Sequence, residues 1–297
     1  MNGILIIDKP KDYTSFDVIA VVRGCVRERK AGHTGTLDPM ATGVLPVLLG
    51  NATKAQDLLP DTDKEYEADF RLGIATDTLD ITGKVLQQVT PHATAEAIEA
   101  LLPQFRGNIL QVPPMYSAVF KNGVRLYELA RQGIETQREA RPVHVGSLTL
   151  TEFDEVSQCG RLSIACSKGT YIRVICDDLG KLLGCGCVMT ALRRTRACGF
   201  TLKDAIPLED IRRIAGEGGS FEPLIRPTDS VFTEFPAVTV SEKQAIRFQN
   251  GAPLALSRLK GPDTPLIGAT YRVYAPGNIF LGLGTLSDEA LTVRKRF

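Results

Sequence analysis

No stretch of this sequence is apolar for long enough to cross a membrane: runs such as residues 44–50 fall well short of the roughly 20 residues that a spanning helix needs. The amino-terminal segment MNGILIIDKP has no basic region followed by a long apolar one, so no secretory leader is read. A soluble, cytoplasmic protein without a membrane partner is expected. An excess of charge of one sign is also missing. The 35 Lys and Arg residues balance 34 Asp and Glu, leaving +1. Any surface for nucleic acid must therefore be a local one. Paired metal-ligand spacings are absent too. Of seven cysteines, Cys185 and Cys187 are separated by one residue rather than two, and His33, His92 and His144 are scattered. No metal site is expected, and the cysteines read as reduced, small buried hydrophobes. There is no GxxxxGK[ST], which removes the P-loop nucleotide hydrolases. Internal repeats and low-complexity tracts are absent as well.

What is present is an ordinary globular composition, 43% hydrophobic and 23% charged over 297 residues. That suits one large domain with a small appendage. Residues 3–7 and 44–49 read as strands, the second buried on both faces. Between them, Thr14-Ser15 offers a helix cap before Phe16, Val18, Ile19 and Val22 at helical spacing. Residues 65–72 and 84–89 are candidate paired strands across the linker TDTLDITG, and residues 94–102 a Thr-capped helix. Residues 143–151 and 161–167 alternate as hairpin strands. A helix follows over 171–183, with Ile172, Ile175, Leu179 and Leu182 on one face, then a strand over 188–200. Residues 113–142, with four arginines and proline at both ends, read as an exposed insertion containing a short helix over 125–131. Glycine and proline around 216–227 mark a linker, and short β-runs follow from about residue 232. Long strands with separated helices favour α+β over a regular βαβ alternation.

The chemistry-bearing segment is GHTGTLDPMATGVLP, residues 32–46. Its acid, Asp38, precedes a proline and lies among glycines, so it is held in a stiff turn that a ligand can approach closely. Taken alone, Asp-Pro is an ordinary turn. Two further segments add to it. SKGTYIR, residues 167–173, supplies an aromatic and a guanidinium, and DKEYE, residues 63–67, a tyrosine at the start of a strand. An aspartate, an arginine and two tyrosines suit a site that grips a splayed-out base, with aromatics stacking on it and the arginine orienting the acid. Arg193, Arg194 and Arg196 read either as a solvated face or as phosphate contacts. The arginines of 125–141 read either as partners of Glu128, Glu135 and Glu139 or as RNA contacts.

Residues 32–46 resemble the catalytic-aspartate motif of the TruB-type bacterial tRNA pseudouridine synthases. The resemblance continues in order through GILIIDKP, DKEY, RLGIATDTLDITG, PMYSA, LYELARQG, REARP, SKGTYIR and residues 177–194. Thr36 and Met40 stand where that family often carries Ala and Leu. The resemblance implies that Asp38 is the catalytic aspartate and Arg173 the arginine that pairs with it. Tyr66 would stack on the target base, and Tyr171 and Leu192 would line the pocket around it. His33 would contact RNA near the flipped nucleotide, with Lys9 close by.

It also implies a pseudouridine synthase fold, a mixed, mainly antiparallel sheet with peripheral helices over residues 1–230. The RNA-binding insertion lies at about 113–142, and a small β-rich PUA-like domain at 231–297. The expected activity is isomerisation of the T-loop uridine (U55) of tRNA, without cofactor or metal, by a monomer bound to the T-arm stem-loop and needing no protein partner. The alternative is a tRNA-folding chaperone that captures the T-arm without catalysis. It would use the basic insertion and the tyrosines but not Asp38.

Overall fold

A computed structural model describes residues 1–259 and 266–297. In chain order the first half contains strands β1 (Gly3–Lys9), β2 (Ala31–His33), β3 (Thr42–Leu49), β4 (Lys64–Leu72), β5 (Ile74–Thr76), β6 (Val85–Gln88) and β7 (Gly107–Gln111), with helices α1 (Ser15–Val26) and α2 (Ala95–Leu101). The insertion carries β8 (Phe120–Lys121), β9 (Val124–Arg125) and α3 (Leu126–Arg131). Then come β10 (Arg141–Asp154), β11 (Cys159–Cys166), α4 (Ile172–Leu182), β12 (Cys187–Ala197), β13 (Phe200–Thr201), β14 (Ile206–Pro207) and α5 (Leu208–Gly216). A second sheet is made by β15 (Ala237–Thr239), β16 (Leu254–Ala255), β17 (Thr270–Ala275), β18 (Ile279–Leu286) and β19 (Ala290–Arg296), with α6 (Glu242–Gln249) against it. The fold is α+β.

The main sheet runs β14-β1-β3-β12-β4-β11-β10-β7, with β2 added to β3 and β13 to β12. Its pairings are antiparallel except β1–β14 and β3–β12, which are parallel. It is the mixed, mainly antiparallel sheet expected. Strands β1 and β3 are buried on both faces, and period-two alternation explains how. Leu5, Ile7, Leu45, Val47 and Leu49 pack under α1 and α5. Ile4, Ile6, Val44 and Leu48 face the other way, onto Phe232 and Leu283. A third cluster lies under α2 and α4 and takes the inward residues of β4, β11 and β12.

Several local expectations are corrected. Helix α1 begins at the expected cap, where Thr14 and Asp17 form a reciprocal capping box, but Phe16 lies outside its buried face at 65% exposure. Leu182 likewise leaves the buried face of α4. Strand β6 pairs with β5, not with β4, because β11 and β12 occupy both edges of β4. The insertion is a long excursion between two adjacent antiparallel strands, its feet joined by the pairing of Gln111 with Arg141. Its root is not exposed: Pro113, Pro114 and Ser117 are buried. The C-terminal unit is β-rich but also carries α6, which is closed by a Ser241–Gln244 capping box.

Two close backbone approaches set the positions of the site's elements. Gly43, at φ 102°, pairs with Arg194, where a β-carbon would stand 2.2 Å from the Arg194 carbonyl oxygen. Gly180 on α4 lies against β12, where a β-carbon would meet the Cys187 nitrogen at 2.2 Å. Gly180→Ala should therefore push α4 off β12 and destabilise the protein by about 3 kcal/mol or more, the upper range for overpacking. Denaturant unfolding of the two proteins measures this, and a change under about 0.5 kcal/mol, the usual surface scatter, would contradict it.

Candidate active site

The segment between β2 and β3 is fixed at several points. Leu37, Met40 and Ala41 are buried in the core. Ser15, at the start of α1, accepts a hydrogen bond from the Leu37 amide at 2.9 Å and donates one to its carbonyl at 3.2 Å. Arg194, fully buried on β12, donates to the carbonyls of Val44, Thr36 and Gly35. Lys9, also fully buried, donates to the carbonyls of Pro10, Tyr13 and Pro39. Asp38, between buried Leu37 and exposed Pro39 in the turn, is left with its carboxylate facing a cavity of about 270 Å³.

Arg173 reaches the same cavity from the first turn of α4. Its Nε lies 3.0 Å from Asp38 Oδ2. Its two terminal nitrogens donate to the carbonyls of Thr78 and Tyr116, each at 3.0 Å, and Nη1 is 3.7 Å from Asp80 Oδ2. The other oxygen of Asp80 accepts from the Thr78 hydroxyl and from the Thr82 amide and hydroxyl, which closes the turn that offers the Thr78 carbonyl. Helix α4 is itself held at its start: Gln111, 4% exposed, accepts from the Tyr171 amide and donates to the Tyr171 carbonyl.

Five of the seven expected site residues, Asp38, Arg173, Tyr66, Tyr171 and Leu192, line this one cavity. His33 and Lys9 do not. His33 sits just before the cavity wall at Thr34, its ring edge-on to exposed Phe16 at 5.5 Å. Its Nδ1 is buried without a partner, and burial holds its pKa below the usual value. Lys9 has all its donors on carbonyl oxygens, and burial draws its pKa down to about 8. It supports the Asp38 turn from beneath and has no donor left for a substrate.

Residues that the sequence reading missed include Gln111, Thr78, Asp80 and the Tyr116 carbonyl, and Arg194, read there as solvated or phosphate-contacting, is buried. Thr78, Asp80 and Tyr116 do lie in segments that carried the family resemblance, which was the available signal. The arginines of β12 do not form one solvated cluster: one is buried, and two, partly exposed, are ion-paired. Arg193 pairs with Asp8, Arg196 with Asp61, and Arg194 is buried. In the insertion, Arg138 contacts Glu135, whereas Arg125 and Arg131 lie over the rings of Phe120 and Tyr127.

Burial and ion pairing act on Asp38 in opposite directions. Arg173 and, more weakly, Lys9 favour the carboxylate, but desolvation outweighs them and Asp80 adds repulsion. The Asp38 pKa is therefore raised, although pairing with Arg173 alone would lower it.

Three family descriptions match successive parts of the chain. They are TruB family pseudouridylate synthase (N terminal domain) over residues 23–172, tRNA pseudouridylate synthase B C-terminal domain over 173–233, and Pseudouridine synthase II TruB, C-terminal, over 236–296. The tRNA pseudouridine synthase B of Stutzerimonas stutzeri is 43% identical across 100% of this chain and 95% of its own length. That of Ectopseudomonas mendocina is 42% identical over the same shares. Among solved structures, a chain of a Cbf5-Nop10-Gar1 complex superposes with a TM-score of 0.74 at 26% identity, covering 99% of this chain and 84% of that one.

Titration of Asp38, followed by carboxyl carbon chemical shift, should have its midpoint above the ordinary 3.8. In Arg173→Gln the midpoint should move higher still, because the main group opposing protonation is gone. A midpoint below 3.8, or a downward move in the variant, would contradict this balance.

Proposed function

Since this chain belongs to the TruB family of pseudouridylate synthases, we propose that it isomerises the T-loop uridine, U55, of tRNA, with Asp38 as the catalytic residue. The chain is a tRNA pseudouridine synthase by family, an isomerase. The site and the residue roles are our reading. The observation that carries it is the Asp38–Arg173 pair, 3.0 Å apart in a cavity also lined by Tyr66, Tyr171 and Leu192.

Conversion of uridine to pseudouridine breaks the N-glycosidic bond, turns the uracil and joins its C5 to C1′ of the ribose. Atoms and oxidation state are conserved, so the chemistry calls for no cofactor. The glycosidic carbon is hidden in a folded loop, so the nucleotide must be extruded, at a cost of a few kcal/mol. Stacking on Tyr66, with Tyr171 and Leu192 completing the pocket, offsets that cost by about 1–3 kcal/mol. Asp38 acts in its ionised form, as a nucleophile on C1′ or C6 or as the base that removes the 2′ proton. Arg173 fixes the carboxylate's orientation, and its bonds to Thr78 and Tyr116 leave it little freedom to follow. A raised acid pKa increases basicity at the expense of the ionised fraction in acid. Activity should therefore fall at a higher pH than an ordinary aspartate would dictate.

The substrate-facing role of the remaining parts follows from their exposure. His33 and Phe16 stand at the rim to meet the neighbouring nucleotides. The outer insertion, with Arg125 over exposed Phe120 and Arg131 over half-buried Tyr127, grips the T-arm. The C-terminal sheet is a PUA-like RNA-binding unit, and the protein works as a cytoplasmic monomer. The chaperone reading would leave Asp38 without a role, yet Arg173 and the turn holding it are built around that carboxylate.

Asp38→Asn keeps size and removes charge. Pseudouridine formation on unmodified tRNA, mapped by position, should drop by several orders of magnitude, while tRNA affinity stays within a few-fold, since phosphate contacts and stacking dominate it. Near-normal turnover in this variant would reject the assignment. Deleting residues 119–137 while keeping the Gln111–Arg141 feet should weaken tRNA binding by about tenfold or more, the effect of losing one or more charged contacts, and leave the unfolding transition in place. Unchanged affinity at physiological salt would remove the insertion from the binding surface.

A further inference from the structure

Two buried lysines flank the site, and they are bonded differently. Lys9 has a carbonyl oxygen for each of its three donors. Lys64, 8% exposed, lines the cavity itself, yet its ammonium donates to a single acceptor, the Thr62 carbonyl at 2.6 Å. Among the described residues no carboxylate comes within 4.0 Å of it to make an ion pair. Its charged neighbourhood is unhelpful: Arg194 repels it, Asp63 attracts it weakly, and the thiols of Cys166 and Cys198 are the other ionisable groups near it. An ammonium carries three donors, so two have no partner among the described residues. A buried cation without an anion is costly, and burial does depress the pKa of this one.

The position is built rather than incidental. The Lys64 side chain passes beneath Gly35, where a β-carbon would stand 3.2 Å from Cε and 4.0 Å from Nζ. On β4, Lys64 and Tyr66 point to the same buried face. Two residues along a strand advance about 6.6 Å, so the ammonium lies one side chain along from the ring proposed to carry the base. What this wall lacks is an anion, and an RNA strand supplies one at every nucleotide.

We propose that Lys64 seats a backbone phosphate of the RNA at the nucleotide whose base enters the cavity, a contact that holds the extruded nucleotide by its backbone while Tyr66 holds its base. This rests on the reading of the cavity as an RNA site. Lys64 is then a substrate-binding residue, separate from the Asp38–Arg173 pair.

The test uses the full-length protein and unmodified tRNA. Binding of wild type, Lys64→Met and Lys64→Arg is measured as a function of salt, with thermal unfolding of each as a control. Lys64→Met should bind about tenfold or more weakly at low salt, as expected for loss of a charged hydrogen bond. The slope of log affinity against log salt should fall by roughly 0.7–0.9, the loss of one phosphate contact. Lys64→Arg should restore the slope. An unchanged slope in Lys64→Met, or a turnover defect with unaltered affinity, would overturn the proposal.

A second measurement needs only wild-type protein, so it stands even if Lys64→Met does not fold. T-arm stem-loops carrying one neutral methylphosphonate linkage, placed on either side of the target uridine, are titrated against it. One of the two should lose affinity by about the same factor, and no loss at either would also overturn the proposal. Failure of the enzymatic reading is seen separately, as absence of pseudouridine in wild-type reactions, whatever the salt slopes show.

Discussion

The arrangement depends on one buried guanidinium. Arg173 is 4% exposed, and each of its nitrogens has a partner: Asp38 on Nε, the Thr78 carbonyl and Asp80 on one side, and the Tyr116 carbonyl on the other. Three segments that are distant in sequence thereby meet at one planar group: the Asp38 turn, the β5–β6 turn and the root of the insertion. A lysine could not reproduce this, because the fork of donors is flat and fixed in direction. The group is also self-consistent. Its charge is desolvated, each of its nitrogens has a partner, and the carboxylate it holds is the one left open to the cavity.

Much of this was legible in the sequence, for identifiable reasons. The both-face burial of β3 follows from an unbroken apolar run, and the sites of the Thr14 and Thr94 caps from residue type ahead of an apolar pattern. The alternation of β4 puts Lys64, Tyr66, Ala68 and Phe70 on one face without any tertiary information. What could not be read was convergence. Nothing in the spacing of Asp38 and Arg173 says that they touch; the family resemblance supplied that expectation. The pairing of β6 failed for a related reason, since a strand's partner is decided by which edges remain open, and β4 had none.

The arginines of β12 show a further limit. In sequence they form a basic run of the kind that attracts phosphate. In the structure Arg194 is turned inward to three carbonyls, Arg193 is neutralised by Asp8, and Arg196 by Asp61. Composition does not distinguish a guanidinium that organises backbone from one that faces solvent. Lys9 and Lys64 repeat the point within the site: both are buried lysines, and only the number of acceptors around each ammonium separates a structural role from one that awaits a ligand.

The layering of β1 and β3 ties distant parts of the chain together. Ile4 and Ile6 lie far in sequence from the C-terminal sheet, but the surface that covers them includes Phe280, Leu283 and Phe297. The opposite face is covered by α1 and α5 together with Phe221, Leu224 and Ile225, none of them from the C-terminal sheet. A fragment ending after α5 would leave the strip that holds Ile4 and Ile6 without the cover of Phe280, Leu283 and Phe297.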